Sequence, residues 1–189
     1  MRSLPLLPAL LLAACMQKPA SLPDAAAADT AVAQSGEDCL AGQGRLEAQL
    51  RGALQADLDW RGGQMQCDGD LRPDGSGLRI SLVGPLDAAR RLRFIFGIDL
   101  QDTASGPAQV LPTNLTVLVE GEATLFATRG ADKCAVEDLE RTLLEPGLER
   151  VSVRGYCLGP ASDLAGEQRL LVPTFSFTAL ARHSEDAAP

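Results

Sequence analysis

The strictest constraint on the fold is a two-residue alternation of apolar and polar side chains that recurs along the chain. In residues 91–100, Leu92, Phe94, Phe96, Ile98 and Leu100 share one parity, while Arg91, Arg93 and Asp99 share the other. Successive side chains of a strand point to opposite faces, so this pattern specifies a strand with one buried face. The same alternation runs through residues 45–60. There Leu46, Ala48, Leu50, Leu54, Ala56, Leu58 and Trp60 oppose Arg45, Glu47, Gln49, Arg51, Gln55, Asp57 and Asp59. Leu46, Leu50, Leu54 and Leu58 also recur every four residues, which leaves a helix open here. Gly52 in mid-pattern marks a bulge or a bend.

Turn chemistry separates further alternating runs. Residues 64–71 and 78–83 flank Arg72-Pro73-Asp74-Gly75-Ser76-Gly77, a strand–turn–strand unit in which Leu78, Ile80 and Leu82 face inward. Leu115, Val117 and Val119 lead through Gly121-Glu122 into residues 123–129 as a tight hairpin, after a loop at residues 103–107. The closing strand spans residues 169–180, with Leu171, Phe175, Phe177 and Ala179 on one face and an irregularity at Pro173. Spacing of this kind predicts an all-β fold, or a β-rich one with one short helix. The expected architecture is an antiparallel β-sandwich or barrel-like meander.

Residues 133–144 admit two readings. Val136, Leu139 and Leu143 fit a helical stripe, with Glu137 four residues ahead of Arg141. Alternatively, a hairpin turning at Glu145-Pro146-Gly147 brings Cys134 opposite Cys157, and this is the favoured reading.

The amino terminus carries a different signal. A single positive charge, Arg2, precedes an apolar run of eleven residues, 4–14, broken only by Pro5 and Pro8. A spanning helix needs roughly 20 residues, so the run matches a secretory signal rather than a transmembrane anchor. It ends in Leu12-Ala13-Ala14-Cys15, which resembles the lipobox of bacterial lipoproteins. The resemblance covers residues 1–15 only, and the folded part matches no family on its residues. It implies cleavage before Cys15, a diacylglyceryl group on the Cys15 sulfur and attachment to a lipid bilayer. With Met16 rather than aspartate after the cysteine, it further implies the periplasmic face of the outer membrane in preference to the inner membrane.

The expected organisation is a signal peptide at 1–14, a lipidated Cys15 with a flexible tether through residue 38, a single β-rich domain at 39–183, and a tail at 184–189. Residues 16–38 are rich in Ala, Asp, Ser and Pro with no sustained apolar period. As a flexible coil they would span about 25–30 Å. Loss of Arg2 takes the formal charge from −8 to −9, and Arg is scattered rather than clustered, so nucleic acid is excluded as a partner.

Lipidation of Cys15 leaves four of the five cysteines: Cys39, Cys67, Cys134 and Cys157. An even number in an oxidising compartment predicts two disulfides. Three pairings are open. Cys39 with Cys67 and Cys134 with Cys157 is favoured, because each bridge then closes a loop within one half of the chain. Zinc is disfavoured by the wide Cys spacing and the lack of nearby His.

Candidate catalytic chemistry is sparse. His183 is the only histidine and stands beside the tail, which removes the usual Ser–His and Cys–His arrangements. Asp68-Gly69-Asp70 and Asp74 suggest calcium, yet Arg72 occupies a position where an oxygen ligand is required, so solvated turn aspartates are the simpler reading. Asp57, Asp59 and Trp60 suggest a sugar-binding corner, but strand alternation sends Trp60 inward and the aspartates outward. Arg91 and Arg93 read as a solvated sheet face. No cofactor is implied. The expected function is a non-enzymatic binding or structural module of the cell envelope, with an envelope protein or glycan as partner. The alternative is an envelope hydrolase using carboxylates or a loop serine.

Overall fold

The computed structural model describes residues 39, 44–72, 74–101, 110–130 and 133–183. The signal peptide, lipidated cysteine, tether, tail and 103–107 loop expected from the sequence lie outside these residues. The described part is built from twelve strands: β1 (Arg45–Gly52), β2 (Ala56–Arg61), β3 (Gln66–Leu71), β4 (Gly77–Pro85), β5 (Arg91–Asp99) and β6 (Leu111–Glu120), then β7 (Leu125–Ala127), β8 (Cys134–Glu145), β9 (Leu148–Cys157), β10 (Ala161–Ser162), β11 (Arg169–Leu171) and β12 (Thr174–His183). A 3-10 turn spans Gly62–Gln64.

Twelve of the thirteen strand pairings are antiparallel; the exception is a short parallel contact of Arg182 and His183 on β12 with Asp70 and Leu71 on β3. The meander β3–β4–β5–β6 meets β8 through Leu111–Thr113, and β8 continues through β9 to β12, which returns to β3. The pairings therefore close a ring, a barrel-like sheet; β1 pairs with the part of β12 before its contact with β3, carries β2 on its other edge, and connects through β11, β10 and β7 back to β6. Closure removes most of the exposed edge that an open sheet of this size would present.

The alternating patterns predict which side chains fill the interior. Leu92, Phe94, Phe96 and Ile98 of β5 are fully or almost fully buried, as are Leu78, Ile80 and Leu82 of β4. All five phenylalanines and the single tryptophan are buried. Phe96 of β5 lies 4.8 Å from Phe175 and 4.7 Å from Phe177 of β12, and Phe94 meets Trp60 of β2 edge to face at 5.6 Å. Rings from opposite walls thus meet at the centre, where burying each one contributes roughly 1.5–3 kcal/mol.

Two sequence expectations change in detail. The long alternation at residues 45–60 is two strands: the chain reverses after Gly52, whose φ of 107° suits glycine, and pairs Leu46 with Trp60, Ala48 with Leu58 and Leu50 with Ala56. The closing strand is likewise divided into β11 and β12, because Pro173 cannot donate to a ladder. Leu170 and Val172 are the buried residues before the break, and Leu171 is only partly buried. Residues 133–144 form strand β8, paired with β9 around a turn in which Gly147 has φ 77°. The hairpin is the correct reading there, and Cys134 stands directly opposite Cys157.

Both favoured disulfides are present. Cys39 is bridged to Cys67 and Cys134 to Cys157, closing separations of 28 and 23 residues. All four cysteines are buried.

Candidate functional site

The outer face of the sheet β2–β1–β12–β9–β8 carries a concavity. Strand register sets its side chains in rows. In the first, Asp57 opposes Gln49, and Thr174 opposes Tyr156, which in turn opposes Ala135. The second runs Asp59, Glu47, Ser176, Arg154 and Asp138. The third runs Arg61, Arg45, Thr178, Ser152 and Glu140. The first two rows enclose a hollow of about 480 Å³, and the second and third a smaller one of about 180 Å³. Arg154 and Ser176 line both, so the hollows form one trough across the sheet.

Each carboxylate lining the larger hollow is held by an arginine. Arg51 Nη2 lies 2.8 Å from Asp57 Oδ1, and Arg61 Nη2 donates to Asp59 Oδ2 at 2.8 Å. Arg45 pairs with Glu47, and Arg154 Nε donates to Glu137 Oε1 at 3.0 Å while its Nη2 reaches Asp138 Oδ2 at 3.2 Å. The Arg61 hydrogen bond, reinforced by the charges of Arg61 and Arg45, lowers the Asp59 pKa below the ordinary aspartate value. Asp59 is thereby fixed as an ionised acceptor. Protonating a glycosidic leaving group requires the opposite shift, a carboxyl held neutral by its surroundings.

Between these pairs lie neutral polar groups with unused hydrogen-bonding capacity. The side chains of Gln49, Tyr156 and Thr174 make no hydrogen bond among the described residues. Tyr156 is partly exposed, lines the larger hollow and has the small residues Ala135 and Thr174 as cross-strand neighbours.

The sequence-derived candidates do not converge on one centre. Asp57 and Asp59 do share the exposed face, and Trp60 does turn inward, where its Nε1 donates to the Pro85 carbonyl at 2.8 Å. The aromatic group lining the same hollow as the two aspartates is Tyr156 instead, on β9. Alternation within β9 signals that Tyr156 faces outward; its place in the hollow with β1 and β2 depends on long-range pairing. Asp68 and Asp70 are exposed on β3, and Asp74 accepts from the Ser76 backbone N–H at 2.9 Å within its turn. No group of three or more His, Cys, Asp or Glu among the described residues is placed to hold a metal. Arg93 donates to Ser81 Oγ and to Glu120, and Arg91 lies 3.6 Å from Glu120, so this cluster is internally paired.

His183 belongs to a separate group. Its Nε2 lies 2.8 Å from Glu149 Oε1, and Glu149 also accepts two hydrogen bonds from Arg141, at 2.6 and 3.0 Å. Arg141 chiefly, with His183, lowers the Glu149 pKa. This triad ties β8, β9 and β12 together at the end of the sheet where β12 finishes.

Comparison with known protein families, curated proteins and solved structures gave no match.

Proposed function

We propose that this chain is a lipid-anchored, non-enzymatic binding module of a bacterial cell envelope, held at the periplasmic face of the outer membrane through acylated Cys15. Cysteine pairing carries this reading. Two bridges consume four of the five cysteines and leave Cys15, the residue that ends the lipobox-like run, as the one outside them. Stable disulfides suit an oxidising compartment, and an unpaired cysteine after a secretory signal suits lipidation. The trough supplies the surface for binding. Its arginine-held carboxylates and unused neutral donors favour recognition over proton-transfer chemistry.

Metabolic labelling with a radiolabelled or clickable fatty acid tests the anchor. Wild-type protein incorporates label and Cys15→Ala does not. Wild-type protein that stays unlabelled refutes the reading.

A further inference from the structure

We propose that the trough binds a neutral, hydroxyl-rich glycan, with Tyr156 as the platform on which a sugar ring stacks. The inference rests on the reading of the trough as a binding surface and names the chemistry of its ligand.

Three observations narrow that chemistry. First, the floor offers side chains rather than backbone. β1, β12 and β9 are each paired with neighbours on both edges across the second and third rows, so a peptide cannot add to them there as a further strand. Second, the carboxylates of the larger hollow are already paired. The four carboxylates of the larger hollow each have an arginine partner, so a cationic ligand would have to displace existing pairs, and an anionic one would meet fixed carboxylates. Third, the polar side chains of the larger hollow that make no hydrogen bond among the described residues are an amide, a phenol and a hydroxyl: Gln49, Tyr156 and Thr174. These donate and accept without charge, as neighbouring sugar hydroxyls do.

A saccharide also suits the remaining geometry. Its hydroxyls can share the free lone pairs of carboxylates already oriented by arginine, at no cost in breaking the pairs. Its C–H face can lie on the partly exposed Tyr156 ring, while the phenolic oxygen stays available for a hydrogen bond. The larger hollow, about 480 Å³, falls in the range of small-molecule sites, roughly 300–1,000 Å³, and the smaller one continues it across the sheet. The path suits a short stretch of polymer rather than a single ion.

The test is an array of neutral gluco-, galacto-, manno- and N-acetylhexosamine oligosaccharides probed with the purified full chain in detergent micelles, with heparin and a lysine-rich peptide as contrasting ligands. At least one neutral oligosaccharide should bind, with little dependence on salt, and heparin and the peptide should not. Tyr156→Ala and Gln49→Ala should each weaken that binding by about tenfold, and Tyr156→Phe should retain most of it. Unchanged thermal unfolding of the variants separates lost contacts from lost structure. No binding to any neutral glycan, selective binding of heparin or the peptide, or glycan binding indifferent to both alanine substitutions overturns the inference. None of these outcomes touches the anchor, which fails only if wild-type Cys15 carries no lipid.

Discussion

Gly84→Ala tests the packing of the core against its single tryptophan. A methyl group at position 84 would lie 2.6 Å from Trp60 Cε2 and Cε3, and closer still to Cδ2. Contact at that range is far inside van der Waals distance, so the indole or the β4 backbone must move. The indole has little freedom. It is buried, donates to the Pro85 carbonyl at 2.8 Å, and abuts Phe94 at a centroid distance of 5.6 Å. Overpacking of a filled core costs about 1–3 kcal/mol, and strain on the indole hydrogen bond adds about 0.5–1.5 kcal/mol. A destabilisation of about 2–4 kcal/mol follows from these two contributions. With a urea slope near 2 kcal/mol/M, the midpoint should fall by roughly 1–2 M. Trp60 is the only tryptophan, so its fluorescence reports both the transition and any change in the native environment. In a Trp60→Leu background, followed by circular dichroism, the cost of Gly84→Ala should shrink, because the smaller side chain can yield. A midpoint within about 0.3 M of wild type, with unaltered native emission, would refute this account of the packing.

Two other perturbations follow from the structure. Replacing Cys134 and Cys157 together by alanine releases a loop of 23 residues and should lower stability by about 3 kcal/mol in denaturant unfolding; a loss below about 1 kcal/mol would contradict it. Glu149→Gln should be destabilising at neutral pH, and the gap should narrow on acidification. The folded-state pKa of Glu149 is depressed, so its contribution is present above the unfolded value and is lost as pH falls through the folded one. A gap that does not change with pH in urea titrations would remove Glu149 as the source.

Periodicity made the buried faces legible and left the turns less so. The hairpin after Gly52 pairs residues of equal parity, such as Leu50 with Ala56, so the alternation passes through the reversal unbroken. One sixteen-residue strand and two short ones then look alike in sequence. In β8 the helical appearance has a physical cause. A register shift between Val136 and Asp138 inserts an extra residue, which puts buried Val136 and partly buried Leu139 three apart on the inner side. At Pro173 the chain breaks between two strands, and the buried position before it is Leu170 rather than Leu171. The trough was legible only in part. Alternation places Asp57 and Asp59 on the exposed face, but bringing Tyr156 into the same hollow takes the β1–β12 register, which joins segments more than a hundred residues apart in sequence, followed by the β12–β9 register. The disulfide pairing was accessible because each bridge is local to one half of the chain.

Intact-mass spectrometry of the native protein tests the central claim most directly, because one number reports processing, acylation and cysteine oxidation together. The mass should equal residues 15–189 plus the diacylglyceryl and acyl groups, less the four hydrogens lost in forming two disulfides. A native protein that retains residues 1–14, carries no lipid on Cys15, or holds its other cysteines as thiols would contradict it.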